Sequence, residues 1–166
     1  MNKKTAYFGV YISLALILSY VESLIPISFG IPGIKLGLAN LVVVIALYKA
    51  KKPSYALIVS VIRIILSGFM FGNMFAILYS IAGGLLSFAV MIILKKKESF
   101  SIMGVSIAGG VFHNIGQLFV AMIVVESYKI GFYFPVLLIA GLITGALIGI
   151  VAGEVLKRIK NIPVLE

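Results

Sequence analysis

The sequence of 166 residues contains no cysteine and no aspartate, and its only histidine is His113. Without cysteine, the chain has no disulfides, no thiolate metal sites and no thiol redox chemistry. Without aspartate, it lacks the Asp-rich magnesium sites on which prenyl-diphosphate synthases and many phosphoryl-transfer enzymes depend. One histidine and no cysteine also exclude a bis-histidine haem or an iron–sulfur cluster held by this chain alone. We therefore expect neither a metal nor a cofactor.

Apolar residues dominate the composition. The hydrophobic content is 62% and the mean hydropathy is +1.21, far outside the range of soluble globular proteins. A membrane-spanning helix needs about 20 predominantly apolar residues, and six stretches approach or reach that length. They predict an all-α membrane protein, a six-transmembrane-helix bundle that forms a single integral membrane domain over residues 1–166. The predicted spans are about 5–25, 33–48, 53–69, 74–94, 102–125 and 134–156.

The basic residues crowd into every second connection between these spans. By the positive-inside rule, this places both termini in the cytoplasm of a multi-pass membrane protein. The net charge of +9 does not indicate nucleic-acid binding, because short juxtamembrane clusters are typical of contact with anionic membrane lipids. The first span is too long for a signal-peptide core, so we expect it to be retained as a membrane anchor. Eleven of the 14 basic residues form the clusters: Lys3, Lys4, Lys49, Lys51, Lys52, Lys95, Lys96, Lys97, Lys157, Arg158 and Lys160.

Arg63 is the exception, because it lies inside span three, beyond its centre toward the outside. A charged side chain at mid-bilayer costs at least about 2.5–3.5 kcal/mol, and an arginine cannot lose its proton. It needs an anion or several acceptors nearby. Glu22, close to the outer end of span one, is one candidate and a bound anionic ligand is the other. Snorkelling to the outer surface is the third alternative.

Span five carries three polar side chains within five residues. His113 and Gln117 are four apart and share a helix face, with Asn114 beside them. Each is either a hydrogen-bonded interior residue or a ligand contact. With Asn40 in span two and Lys35 at its outer end, they could line one outward-facing cavity of positive charge. We expect its substrate to be small and anionic. The candidate substrate-binding residues are Lys35, Asn40, Arg63, His113, Asn114 and Gln117.

Span six carries glycines at strict four-residue spacing: Gly141, Gly145, Gly149 and Gly153. Such a series forms a groove on one helix face, where another backbone can approach closely. The groove serves either packing within the bundle or docking of a partner protein. Elsewhere the sequence offers no carboxylate pair, no metal-ligand cluster and no nucleophile with a base at a fitting spacing. We therefore expect a protein that is not an enzyme.

Two motifs, Pro32-Gly-Ile-Lys-Leu-Gly-Leu-Ala-Asn40 and His113-Asn114-Ile-Gly-Gln117, carry a family resemblance. With the length and the span pattern, they make the chain resemble the Gx transporter family, also called heptaprenyl diphosphate synthase component I. That family in turn resembles the substrate-binding S components of energy-coupling factor (ECF) uptake transporters. The resemblance implies a location in the bacterial cytoplasmic (inner) membrane and six helices with inner termini. It also implies a ligand cavity near the outer surface, and docking on a transmembrane coupling subunit driven by two ATPases. The chain itself has no P-loop.

The resemblance implies a substrate-binding membrane subunit of an ECF-type transporter for a small anionic or isoprenoid-like molecule. An alternative follows from relatives that resemble membrane subunits found alongside flavin- and quinone-linked extracellular electron-transfer proteins. In that case the chain would be a membrane scaffold with a flavin-bearing membrane partner. The third alternative is a non-catalytic subunit of prenyl-diphosphate synthesis.

Overall fold

The computed structural model describes residues 3–25 and 37–159, and within these ranges the chain is helical with no strand. Pro53 occupies the first turn of a helix, where its missing N–H costs nothing. The side chains of Asn73 and Ser101 cap two others by accepting the N–H groups of Ala76 and Gly104 at 2.8 and 3.1 Å. The helices are α1 (Lys3–Leu24), α2 (Leu38–Lys49), α3 (Pro53–Phe71), α4 (Met74–Lys96), α5 (Ile102–Val124) and α6 (Phe134–Arg158), with a 3-10 segment, Tyr128–Tyr133, before α6.

Five of these helices are long and apolar enough to cross a membrane. The exception is α2, whose 12 residues span about 18 Å at about 1.5 Å per residue, against a hydrocarbon core of about 30 Å. Large apolar side chains are exposed on the outward faces of α1, α3, α4, α5 and α6, where lipid would lie. The prediction of an all-helical, multi-pass membrane protein is confirmed. The count of six spans and the side on which the termini lie stay predictions.

The second predicted span starts at Gly33, ahead of the residues that the structure describes for α2. The described helix begins at Leu38, because Gly37 has a φ of +73° and left-handed backbone cannot continue an α-helix. Residues 33–36 lie outside the described ranges. Within the described chain, the helix in this region is Leu38–Lys49, and the predicted start at Gly33 stays untested.

The short α2 forms the centre of the fold and packs against α1, α3 and α6. Its side chains are buried on every side, with Val42, Val44 and Leu47 among the largest fully buried ones. A helix that is apolar all round belongs in an interior. At its C-terminal end, the Lys95 amine donates a hydrogen bond to the Leu47 carbonyl at 2.6 Å and lies 5.0 Å from the centre of the Tyr48 ring. This contact fixes α2 to α4.

The helix α5 is held closely between α4 and α6, and glycines make both approaches possible. On the α4 side, a Cβ at Gly116 would lie 2.8 Å from the Cα of Gly83. On the α6 side, a Cβ at Gly145 would lie 2.6 Å from the Cα of Ile107. Both distances are below what real Cβ contacts show, so backbone meets backbone at the two crossings. The close contacts with α4 and with α6 therefore fix the position of α5.

Three glycines of the α6 series lie at the α5–α6 crossing, and the fourth, Gly153, faces open space. A Cβ at Gly141, Gly145 or Gly149 would come within 3.0 Å of α5 backbone atoms, whereas one at Gly153 would meet nothing within 4 Å. The first three therefore face α5 inside the bundle. The sequence left packing within the bundle and docking of a partner as alternatives for this groove. At these three positions the structure shows packing against α5.

Candidate ligand-binding cavity

A cavity of about 320 Å³ opens between all six helices. It lies near the C-terminal end of α1 and the start of α2, at the end of the bundle remote from the basic residues that close α2, α4 and α6. Its lining comprises Ser19, Glu22, Ser23, Ile25, Gly37, Asn40, Arg63, Ile64, Ser67, Gly68, Phe71, Gly72, Ala76, Ser80, Gly110, His113, Asn114, Gln117 and Thr144. The volume falls at the lower end of the range of small-molecule sites.

The structure brings five of the six predicted site residues to this one cavity. Asn40 comes from α2, Arg63 from α3, and His113, Asn114 and Gln117 from α5. The sixth, Lys35, lies outside the described residues. Residues separated by up to 77 positions in the chain thus share a wall because the helices that carry them converge. That they bind a substrate stays a prediction.

Arg63 is the central charge of the cavity. Its Nη2 donates to the Asn40 side-chain oxygen at 2.9 Å, which ties α3 to α2. Its Nε is buried and has no hydrogen-bond partner among the described residues. A buried donor without a partner costs about 1–3 kcal/mol, and more when the group is charged. Arg63 thus lines the cavity, and one of its guanidinium nitrogens has no hydrogen-bond partner in the described chain.

Glu22 supplies a negative charge to the same cavity. Its carboxylate accepts the backbone N–H of Gly37, which joins the end of α1 to the start of α2. It also interacts electrostatically with Arg63. The described lining thus carries one cation and one anion besides His113, and the expected positive charge of the cavity depends on Lys35. The interaction with Glu22 leaves the Arg63 Nε without a hydrogen bond.

The three polar residues of α5 occupy the wall opposite α3 in different ways. The Asn114 amide donates to the Leu137 carbonyl at 2.7 Å, so this side chain also ties α5 to α6. His113 and Gln117 lie against α4 at Gly83, where a Cβ would come 3.2 Å from His113 Cε1 and 2.8 Å from Gln117 Cγ. Because Gly83 has no side chain, His113 and Gln117 can sit at this depth. The α4–α5 crossing therefore also shapes the cavity.

The hydroxyl groups of the lining were not predicted from the sequence, and they are those of Ser19, Ser23, Ser67, Ser80 and Thr144. Helical spacing was the signal that could have found two of these groups. Ser67 lies four residues after Arg63 and Ser19 lies three residues before Glu22, so each shares a helix face with a charged residue. The Ser19 hydroxyl is buried and has no hydrogen-bond partner within the described ranges. The cavity wall is thus richer in hydrogen-bonding groups than the sequence analysis predicted.

Among the described residues there is no group of three or more His, Cys, Asp or Glu side chains that could hold a metal ion. What the cavity offers is a guanidinium, a carboxylate, an imidazole, amides and hydroxyls. These groups can bind and orient a polar molecule by hydrogen bonds and charge.

Comparison with known proteins agrees with the family resemblance. No curated protein and no solved structure matches the chain significantly. The family described as heptaprenyl diphosphate synthase component I matches residues 11–155, which include every helix of the bundle in whole or in large part and all the described cavity residues. The chain therefore belongs to the heptaprenyl diphosphate synthase component I family, also known as the Gx transporter family.

Proposed function

We propose that the chain is the S-component-like, substrate-binding membrane subunit of an ECF-type uptake transporter, which takes a small molecule with an anionic group from outside. Membership of the Gx transporter family supports a transporter-like membrane component. The proposal includes six spans with both termini in the cytoplasm. The basic residues at the ends of α2, α4 and α6 support that orientation, because the cavity then opens to the outside.

The observation that carries the proposal is Arg63, a cation inside a membrane-length helix that lines the cavity and whose hydrogen bonds within the described chain leave one nitrogen without a partner. An arginine inside a membrane helix is costly, and such residues mark binding sites or pathways more often than lipid-facing surface. An anionic oxygen of a ligand would accept a hydrogen bond from the Arg63 guanidinium and compensate its charge. Charge-assisted hydrogen bonds of this kind are the strongest that a guanidinium forms.

Each neighbour of Arg63 then has a role in binding. Asn40 holds the guanidinium in place at the cavity through its 2.9 Å hydrogen bond. His113 and Gln117, one turn apart on α5, orient the rest of the ligand by hydrogen bonds. Asn114 contributes by holding α5 against α6 through its hydrogen bond to the Leu137 carbonyl. Lys35 is proposed as a second cation at the outer end.

The chain contributes binding, and partners contribute energy. The sequence has no P-loop, so ATP hydrolysis would occur in two ATPases that drive a transmembrane coupling subunit. The chain carries out no chemical step in this scheme.

Mixing the protein in detergent with a purified coupling subunit and its ATPases tests whether the chain docks on such partners. Co-elution as one complex is the expected result, and separate elution at micromolar concentration would contradict docking on such a module.

Mass spectrometry of the small molecules released from the purified protein tests the binding part. We expect one compound with an anionic group, at close to one per chain. Arg63→Ala should weaken its binding about 10- to 150-fold, the equivalent of the about 1.5–3 kcal/mol of a hydrogen bond to a charged group. The control is Lys129→Ala, which removes an exposed cation from the 3-10 segment. A protein that releases only bulk lipid, or an Arg63→Ala variant that keeps the compound, would refute the proposal.

A further inference from the structure

The turn between α3 and α4 is unusually apolar for a connection between two helices. No charged residue occurs between Arg63 and Lys95, a stretch that contains the end of α3, the turn and nearly all of α4. Lys52 lies directly before α3 and Lys95 lies in the last turn of α4, so both lysines lie on the same side of the membrane. The turn, at Gly72 and Asn73, lies on the opposite side. Connections normally carry polar residues because they meet water, and this one does not follow that rule.

Four large apolar side chains are exposed at this turn, and we call them the turn patch: Phe69, Met70, Met74 and Phe75. Phe69 is 68% exposed, and the other three are exposed by more than half. A contiguous exposed apolar patch of this kind marks a contact with a partner or with a membrane. Tyr and Trp are the side chains typical of the headgroup layer, whereas none of these four carries a hydroxyl or an N–H group. The composition of the turn patch therefore favours contact with hydrocarbon.

The lengths of α3 and α4 place the turn patch at the far edge of the hydrocarbon core. At about 1.5 Å per residue, the chain rises about 26 Å from Lys52 to Phe69 and about 30 Å from Lys95 back to Phe75. The hydrocarbon core is about 30 Å thick, and any tilt of the helices brings the turn further into it. With the lysines at one membrane surface, the two helices are too short to lift the turn patch clear of the other.

The backbone of the turn is compatible with this position. Backbone polar groups that meet hydrocarbon must find partners within the protein. Only Gly72 and Asn73 separate the two helices, and both take part in hydrogen bonds. The Gly72 N–H donates to the Gly68 carbonyl at 3.1 Å, and the Asn73 carbonyl accepts the Ile77 N–H at 3.1 Å. The Asn73 side chain accepts the Ala76 N–H at 2.8 Å, so a tight, capped turn pairs groups that a longer loop would leave to water.

We infer that the α3–α4 turn is embedded in the lipid leaflet opposite Lys52 and Lys95, with the turn patch among the acyl chains. The partner of this surface is the hydrocarbon of phospholipids, and in the proposed orientation the leaflet is the outer one. The inference goes beyond the proposed function and does not depend on a bound ligand. It also bears on the cavity, because the same turn lines it with Gly68, Phe71 and Gly72. At this wall the turn stands between the cavity and lipid.

The chain has no tryptophan, so a single introduced tryptophan reports its own surroundings. Phe69→Trp and Phe75→Trp place this probe on the two sides of the turn, at exposed positions where a larger ring has room. Tyr128→Trp is the matched control, because Tyr128 is 79% exposed and lies beside Lys129 in the connection between α5 and α6, at the same end of the bundle. Each variant is reconstituted into vesicles of phosphatidylcholine and phosphatidylglycerol. Lipids brominated on their acyl chains serve as the quencher in hydrocarbon, and acrylamide on both sides of the vesicle serves as the quencher in water.

We expect Phe69→Trp and Phe75→Trp to emit at shorter wavelength than Tyr128→Trp, with more quenching by the brominated chains and less by acrylamide. Monodisperse elution before reconstitution establishes that each variant is folded, and either turn variant alone suffices for the test. Acrylamide quenching as strong as that of the control would overturn the inference, because the turn would then lie in water. Weak quenching by both agents would also overturn it, since a protein surface such as a second copy would then cover the turn patch. Either result leaves the proposed function standing, because no readout involves a ligand.

Discussion

Gly145→Ala tests whether the close approach of α5 and α6 maintains the fold around the cavity. Gly145 lies at the middle of the α6 glycine series, where the new Cβ would stand 2.6 Å from the Ile107 Cα and 2.8 Å from the Ser106 carbonyl oxygen. Ordinary contacts of this kind begin at 3.4 Å. Because both neighbours are backbone atoms, no side-chain rotation can relieve the overlap, and the two helices must separate by close to 1 Å.

The cost follows from that separation. Overpacking a well-packed interior costs about 1–3 kcal/mol, and here the neighbouring contacts at Gly141 and Gly149 loosen as well. We therefore expect a loss of about 2–3 kcal/mol. For a chain of this length, about 1 kcal/mol corresponds to about 2–4 °C in the unfolding midpoint. The midpoint should fall by about 4–12 °C.

Gly153→Ala is the matched control, since it makes the same change two turns further along the same helix, where nothing lies within 4 Å. Removing a glycine from a helix interior stabilises by about 0.5–1 kcal/mol, so this variant should unfold at the same temperature or slightly higher. The assay is thermal unfolding in detergent, followed by far-ultraviolet circular dichroism. Equal midpoints for the two variants would refute the account of α5–α6 packing.

Two further variants test how the ends of the helices are held. Lys95→Met removes the hydrogen bond to the Leu47 carbonyl and should lower the unfolding free energy by about 1.5–3 kcal/mol, whereas Lys96→Met, at an exposed position, should change it by less than about 0.5 kcal/mol. Equal effects on thermal unfolding would contradict the role of this contact at the end of α2. Ser101→Ala removes the cap on the N–H of Gly104 and should cost about 1 kcal/mol, measured in the same way, and full retention of stability would show that the cap contributes nothing.

Five of the six predicted spans agree with helices to within two residues at each end, because each is an apolar run with clear stop signals. The fourth and fifth spans were placed at 74–94 and 102–125, and the structure has Met74–Lys96 and Ile102–Val124. Lysine clusters, capping residues and Pro53 mark these ends in the sequence itself. Because the hydrocarbon thickness of the membrane sets the length of a spanning helix, hydropathy alone predicts most of where each helix begins and ends.

Hydropathy does not report backbone conformation, so it could not predict that α2 begins at Leu38. The apolar run continues through Gly37, whose left-handed φ immediately precedes the first helical residue. A glycine is compatible with both conformations, and tertiary context decides between them. The 12 described helical residues of α2 show that an apolar run can be a buried central element without the length of a full span.

The candidate site was partly predictable because charged and amide side chains are rare in membrane helices. Arg63, His113 and Gln117 stand out in apolar surroundings, and they do line one cavity. The hydroxyls did not stand out, since serine and threonine in membrane helices commonly bond to their own backbone, as Thr144 does to the Ala140 carbonyl at 2.8 Å. Their place at the cavity depends on how each helix is rotated about its axis.

The pairing of Arg63 with Asn40 was beyond sequence analysis for the same reason. Their separation of 23 residues spans two helices and a connection, and no local pattern specifies which faces meet. The sequence left a carboxylate, a ligand and the outer surface as alternatives for Arg63. The structure adds an amide oxygen at one nitrogen and leaves another nitrogen without a partner in the described chain.

The most direct test of the central claim is an experimental density map of the full-length protein purified without added ligand. We expect a small molecule in the cavity between the six helices, with an anionic oxygen about 2.7–2.9 Å from a nitrogen of the Arg63 guanidinium. A cavity that holds only water beside this guanidinium, in a protein shown to be folded, would contradict a role for Arg63 in ligand binding.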